Sequence, residues 1–261
     1  MTRNFAVGID LHGTLLDENW QVPDRLAEDL HTALRAIHPA CELFLCTGND
    51  LTFVHEHLGR DLSGLFDGFV LETGCVVSRG AEEEVLVPRE RISLLREVEH
   101  HLRDQALPGV RYFARRLATI SLFTKTELGG PDPAGLYPQV LREIEGMGYA
   151  EEVMVTHSDV AVDIIPSGFN KYTGLRQASE APSLIGIADS LNDLHLIANA
   201  DRAFLPANAS PALLTELSEG GRQVKPLEEC GRPSSGTIAI AEFHHTEAVI
   251  EILQFLRYHL Q

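Results

Sequence analysis

Short runs of consecutive apolar residues recur along the chain, and most are followed by a stretch in which apolar positions return every three or four residues. The runs 5–9, 43–46, 69–71, 184–187 and 203–205 have the length and composition of strands buried on both faces. Between the first of them, 23–37 opens on Pro23 and sets Leu26, Leu30, Ala33, Leu34 and Ile37 on one stripe, and 50–59 reads as a second helix stopped by Gly59. Strands and helices in alternation build βαβ units and a parallel sheet.

The rhythm changes from about Glu82. An acidic run leads into a helix over 89–105, then strands over 110–113 and 117–123. A loop follows at 129–133, then a helix over 136–147 and a hairpin of 152–156 with 160–164, ending at Pro166-Ser167-Gly168. Helix and paired strands, twice over, describe a small α+β unit. The predicted organisation is therefore an α/β protein with a Rossmann-like parallel-sheet core over 1–82 and 166–261, and a smaller inserted α+β cap over 83–165. The last segment, 246–260, carries Val249, Ile252, Leu253 and Leu256 at helical spacing and reads as a packing helix.

Composition narrows the partners. The 261 residues are 44% hydrophobic, enough to bury a core, and carry a formal net charge of -17. Such a balance argues against a nucleic-acid surface, which needs clustered Lys and Arg, and requires that an anionic substrate be met by a local positive focus such as a metal ion. Cys41, Cys46, Cys75 and Cys230 form no C-x-x-C pair and read as free thiols of a reducing compartment. The first apolar run is too short for a signal-peptide core, and no stretch is long enough to span a bilayer. The expectation is a cytoplasmic monomer or homodimer with no membrane or nucleic-acid partner.

Four segments hold the candidate chemistry. Asp10-Leu11-His12-Gly13-Thr14 follows the first strand, so Asp10 stands at a carboxyl-terminal strand tip, where ligands of open parallel sheets collect. Thr47-Gly48-Asn49-Asp50 links the second strand to a helix, and its hydroxyl and amides either face an anion or cap that helix. Phe169-Asn170-Lys171 enters a helix just after the inserted unit. Lysine is used sparingly, only at Lys125, Lys171 and Lys225, and an ammonium opposes the dipole at a helix N-terminus unless an anion compensates. Asp189-Ser190-Leu191-Asn192-Asp193 follows the 184–187 strand. Its oxygen side chains suit a hard cation such as Mg2+, or else cap a helix with an acidic first turn.

D-x-x-G-T after the first strand, T-G after the second, Lys171 after an insertion and D-S-L-N-D after a later strand resemble the four signatures of the haloacid dehalogenase superfamily of phosphohydrolases. The D-S-L-N-D motif and the place of the insertion are similar to the branch of Cof-type, sucrose-phosphate and mannosylglycerate-phosphate phosphatases. Ala207-Asn208-Ala209 resembles the Asn-Ala loop of that branch, whereas Thr73 in Leu71-Glu72-Thr73-Gly74-Cys75 stands where the branch usually has Asn.

The resemblance implies a Mg2+-dependent phosphomonoesterase for a small phosphorylated metabolite, a sugar phosphate or phosphorylated sugar acid. By the same resemblance Asp10 is the nucleophile that forms an aspartyl-phosphate. Mg2+ is held by the Asp10 side chain, the main-chain carbonyl of His12 and Asp189, supported by Asn192 and Asp193. Thr47, Gly48, Asn170 and Lys171 contact the phosphoryl group, and the inserted unit closes over the site. Arg111, Arg115, Arg116 and Lys125 either contact an anionic substrate or are solvated strand edges.

His12 is the departure, because the family usually carries a second Asp there as general acid/base. One expectation is that imidazole takes over the role, with a neighbouring phosphate or carboxylate favouring its protonated form. The other is that the ring points away, leaving slow turnover or a phosphate-binding or regulatory protein weakened in catalysis. A response-regulator receiver fits less well, since its Asp follows a middle strand and its length is about half of this chain. A dehalogenase would not need the acidic cluster 189–193.

Overall fold

The computed structural model describes residues 3–80, 82–125, 130–158, 160–231 and 237–260. The first apolar run becomes β1 (Phe5–Asp10), followed by α1 (Asp24–Ile37), β2 (Cys41–Cys46), α2 (Leu51–Ser63) and β3 (Gly68–Leu71). Two strands, β4 (Val76–Arg79) and β5 (Glu82–Val85), lead to α3 (Arg89–Asp104), β6 (Val110–Phe113), β7 (Ile120–Thr124), α4 (Pro133–Gly146), β8 (Val153–His157) and β9 (Ala161–Pro166). The chain continues through α5 (Lys171–Ala178), β10 (Ser183–Ile187), α6 (Leu194–Asn199), β11 (Arg202–Leu205) and α7 (Pro211–Glu219). It ends with β12 (Gln223–Pro226), β13 (Thr237–Ile240) and α8 (His245–His259). Two compact units result, Met1–Glu83 with Asn170–Gln261, and Glu84–Phe169.

The first unit is built on a sheet of order β12-β13-β11-β10-β1-β2-β3-β4-β5. Pairings from β12 through to β3 are parallel, as the strand–helix alternation requires. β1 lies between β10 and β2, where the order reverses, and every residue of it after Phe5 is buried. Helices cover it: α1 packs on α8, and α5 packs on β2, β3 and β4. Gly8 permits the close seat of α5, because a Cβ there would lie 2.7 Å from Leu175 Cδ2 and 2.9 Å from Cys46 Sγ. The second unit is an antiparallel sheet of order β6-β7-β9-β8, with Leu95 and Val98 of α3 and Leu136 and Val140 of α4 buried in one core with Leu122 and Val162. A mostly parallel α/β core with a smaller α+β unit is the architecture expected.

Several details differ from expectation. The parallel sheet carries an antiparallel addition, β4 on β3, and the acidic run is itself a strand, β5, fully exposed at the sheet edge. Its three glutamates suit an edge, where charge opposes further pairing, and they remove the apolar signal of a strand. α2 is interrupted at Gly59 (φ 67°, ψ 169°) but resumes to Ser63. β7 starts at Ile120 rather than 117, since Leu117 is 45% exposed. Pro133 opens α4 behind an Asp132 cap, while Gly129 lies outside the described residues. Cys41, Cys46, Cys75 and Cys230 are free thiols, and among the described residues no helix is long and apolar enough to cross a membrane.

Candidate active site

Register brings the strand tips together. Asp10 is level with Cys46, so Thr47 stands one residue beyond it on β2; Ile9 is level with Ile187, so Asp189 stands two residues beyond the last paired position of β10. Such a crevice at a reversal of strand order is where open α/β sheets bind ligands. α5 supplies Lys171 from its first position. The Lys171 Nζ lies 2.5 Å from Asp10 Oδ1 and 2.5 Å from Asp193 Oδ1, and all three residues are buried.

One carboxylate oxygen each from Asp10, Asp189 and Asp193 lies within 4.8 Å of the others. Three acids share one ammonium. Burial first, and then Asp10 and Asp193, push the Asp189 carboxyl up to about 8, while Thr14 and Lys171 act in the opposite sense. Burial and Asp10 likewise raise Asp193. Burial alone would lower Lys171, but the Asp10 and Asp193 carboxylates more than offset it and hold the ammonium above its usual value. A crowded, all-oxygen donor set whose members resist ionising together is one that a hard dication would relieve, so the residues present could hold such an ion.

The loop after β1 packs closely against this cluster. Gly13 has φ 74°, and a Cβ there would lie 2.3 Å from Asp189 Oδ2, so both conformation and space require glycine. Thr14 Oγ1 donates to Asp189 Oδ1 at 3.0 Å. Asn192 sits on the short turn of 3-10 helix Leu191–Asp193, which also carries Asp193 inward, and Ser190 Oγ donates to Asp193 Oδ2 at 2.8 Å.

On the β2 side, buried Thr47 accepts at Oγ1 from the Asn49 main-chain N–H at 3.1 Å. Gly48 stands against Thr73, whose Oγ1 is 3.4 Å from where a side chain on Gly48 would begin. Thr73 itself has φ 56°, and its N–H donates to Thr47 O at 3.0 Å. The turn thus keeps the left-handed conformation that Asn tolerates well, with a β-branched residue in its place. Asp50 caps α2 and Asn170 caps α5, the latter in a reciprocal capping box with Thr173. The Asn170 side-chain oxygen is accounted for by that cap.

His12 is enclosed. Its ring packs 5.1 Å from Trp20 and 5.0 Å from Phe53, centroid to centroid, and Asn49 Nδ2 approaches its Nδ1 at 3.3 Å. Its Nε2 is buried with no hydrogen-bond partner among the described residues. Burial, then Lys171 and His57, push its pKa down to about 4. Burial is the larger cause, since the aromatic surroundings disfavour a cation there, and the Lys171 ammonium adds to it. In the inserted segment Arg111, Arg115 and Lys125 are exposed, whereas Arg116 is buried.

Asn49, Asn208 and His245 are functional candidates that sequence reasoning passed over. Asn49 lies within Thr47-Gly48-Asn49-Asp50 and Asn208 within the Asn-Ala loop, and no local pattern assigns either a role. His245 had a fainter signal, a His-His pair opening a helix without a capping side chain.

No family model and no curated protein matches the sequence. Solved structures do. A protein of Thermoplasma acidophilum superimposes with a TM-score of 0.68 at 15% identity, covering 98% of this chain and 100% of that one. The sucrose-phosphatase of Synechocystis sp. PCC6803, in complex with sucrose and phosphate, gives 0.66 at 21% identity, covering 98% of each chain. A haloacid dehalogenase-like hydrolase of Bacteroides thetaiotaomicron gives 0.63 at 16% identity, covering 97% of this chain and 99% of that one. The chain shares its fold with these structures, one of them a haloacid dehalogenase-like hydrolase.

Proposed function

We propose that the protein is a Mg2+-dependent phosphomonoesterase of the haloacid dehalogenase superfamily, acting on a small phosphorylated metabolite such as a sugar phosphate or phosphorylated sugar acid. The observation that carries this reading is the buried Lys171 ammonium shared by Asp10 and Asp193 beside Asp189. The fold is shared with a sucrose-phosphatase, which supports a substrate of that size. In this reading 83–165 is the cap, 1–82 and 166–261 form the core, and the protein works in the cytoplasm as a monomer or homodimer.

Asp10 attacks phosphorus as the bond from phosphorus to the leaving alcohol breaks, and water then hydrolyses the aspartyl-phosphate. Lys171, Thr47 and the Gly48 amide bind phosphoryl oxygens and offset charge in the transition state, with Asn170 orienting the start of α5. Asp10, Asp189 and Asp193, with the His12 carbonyl and Asn192, would hold Mg2+, which when bound neutralises the charge between a carboxylate and a phosphate dianion. The test is hydrolysis of p-nitrophenyl phosphate with and without Mg2+. Asp10→Asn should abolish turnover, and a Mg2+-independent rate in the wild type, or full activity in the variant, defeats the reading.

The enclosure of His12 favours a second reading at one step. With Nδ1 met by Asn49 and Nε2 buried against aromatic rings, His12 contributes little acid/base help, and the protein turns over slowly or serves as a phosphate-binding regulator. General acid/base assistance is worth about 10²–10⁴-fold, so its loss leaves weak activity. A Mg2+-dependent beryllofluoride adduct on Asp10 without measurable hydrolysis identifies the binder.

A further inference from the structure

α8 begins at His245 with φ 49°, a left-handed conformation that a non-glycine residue holds only when its surroundings impose it. The surroundings are bonds to the loop after β1. His245 Nδ1 lies 2.9 Å from Gly13 O, and since a carbonyl only accepts, the ring carries a proton at Nδ1 and donates it. The His245 main-chain N–H donates to Asn208 Oδ1 at 3.0 Å, and Asn208 Nδ2 donates to the same Gly13 O at 2.7 Å. One residue further, buried Thr246 donates from Oγ1 to Leu15 O at 2.7 Å. The Gly13 carbonyl is thus gripped by two donors that lie 195 and 232 residues away in sequence.

What the grip fixes is the plane of the Gly13–Thr14 peptide. On one side of it stands Thr14, whose hydroxyl binds Asp189; on the other stands His12, two residues from Asp10. A Cβ on Gly13 would fall against the Asp189 carboxylate, so this loop passes close beside it. We propose that His245 is a positioning residue: through Gly13 O, and jointly with Asn208, it holds the loop 11–15 in the arrangement that sets Asp10, the His12 carbonyl and Asp189 against one another. His245 touches none of the reacting atoms, and its effect on turnover rests on the phosphatase reading above.

Asparagine offers a close test, because its Nδ2 is as many bonds from the backbone as the histidine Nδ1 and it tolerates the left-handed region. Aspartate has the same shape and tolerance but presents an acceptor to an acceptor. We expect His245→Asn to keep wild-type hydrogen–deuterium exchange across 11–16. His245→Asp and His245→Gly should exchange there at least tenfold faster in metal-free buffer, with α8 protection unchanged beyond its first turn. With p-nitrophenyl phosphate and Mg2+, kcat should fall about tenfold or more for Asp and Gly and stay within twofold for Asn, at little change in KM. Exchange in His245→Asp that matches His245→Asn overturns the proposal. Failure of the unsubstituted protein to hydrolyse the ester counts against the phosphatase reading alone, since exchange reports the clamp without turnover.

Discussion

The Lys171 ammonium lies 2.5 Å from the Asp10 carboxylate, both buried, although 161 residues separate them in the chain. Helix α5 delivers the charge because Gly8 lets Leu175 settle on β1, so packing and electrostatics are linked through one helix. Lys171→Met should therefore strand Asp10, Asp189 and Asp193 without a counter-charge. Removing one partner of a buried pair costs about 3–5 kcal/mol. We expect a lower unfolding midpoint in EDTA, a larger Mg2+-induced recovery than in the wild type, and turnover reduced by about 10²–10³-fold or more, in line with losing a transition-state donor. An unchanged midpoint in EDTA would show that the ion pair is not a determinant of the fold.

Stability of the metal-free protein should depend on pH in a direction set by the acidic cluster. Asp189 is raised from 3.8 to about 8, so between these values the folded state binds more protons than the unfolded and stability falls as pH rises. His12, lowered from 6.5 to about 4, works oppositely below 6.5, where stability it contributes is lost on acidification. The window from 6.5 to 8 is thus free of that opposition, and there the folding free energy should fall by about 1–2 kcal/mol. Urea unfolding at several pH values checks this, and saturating Mg2+ should remove the slope. A metal-free stability that rises across the same window contradicts the raised carboxyl.

Much of the site was legible because its chemistry lies at strand tips, where an apolar run marks the strand and the next polar residue marks the tip. Asp10, Thr47 and Asp189 of the candidate site stand out this way, and Lys171 by its rarity. What escaped carries no local pattern. β5 is an exposed acidic edge, with no periodicity to read. β12 is likewise exposed for most of its length. The surroundings of His12 are set by Trp20, from the loop before α1, and by Phe53 and Asn49, from the start of α2 and the residues just before it, so the ring's lowered pKa depends on tertiary packing. His245 acts on a carbonyl 232 residues away, and a main-chain acceptor leaves no trace in sequence.

At His12 the enclosure favours the loss of acid/base participation. Because Asn49 meets Nδ1 and Nε2 is buried, we expect His12→Ala to stay within about threefold of wild-type kcat, and His12→Asp to gain about 10–100-fold, within the range of acid/base assistance. Steady-state kinetics with p-nitrophenyl phosphate from pH 5 to 8 measure both. A hundredfold loss in His12→Ala with a displaced pH profile would restore the ring to the acid/base role.

Gly13 provides the sharpest link between backbone and chemistry. At φ 74° an alanine is strained by about 1 kcal/mol or more, and its Cβ would fall 2.3 Å from Asp189 Oδ2, so either the loop or the carboxylate must move. Asp189 is the side chain held by Thr14 and crowded by Asp10 and Asp193, so displacing it spoils the acidic cluster itself. Gly13→Ala should fold, with a lower unfolding midpoint, but need at least tenfold more Mg2+ for half-maximal stabilisation and lose 10²-fold or more in kcat, about 2.7 kcal/mol at the transition state. Serine at the same position should behave alike, since the clash is with Cβ. Mg2+ titrations followed by thermal unfolding separate this from plain destabilisation: a variant that is less stable but keeps the wild-type Mg2+ midpoint would mean that Gly13 serves the turn and not the site.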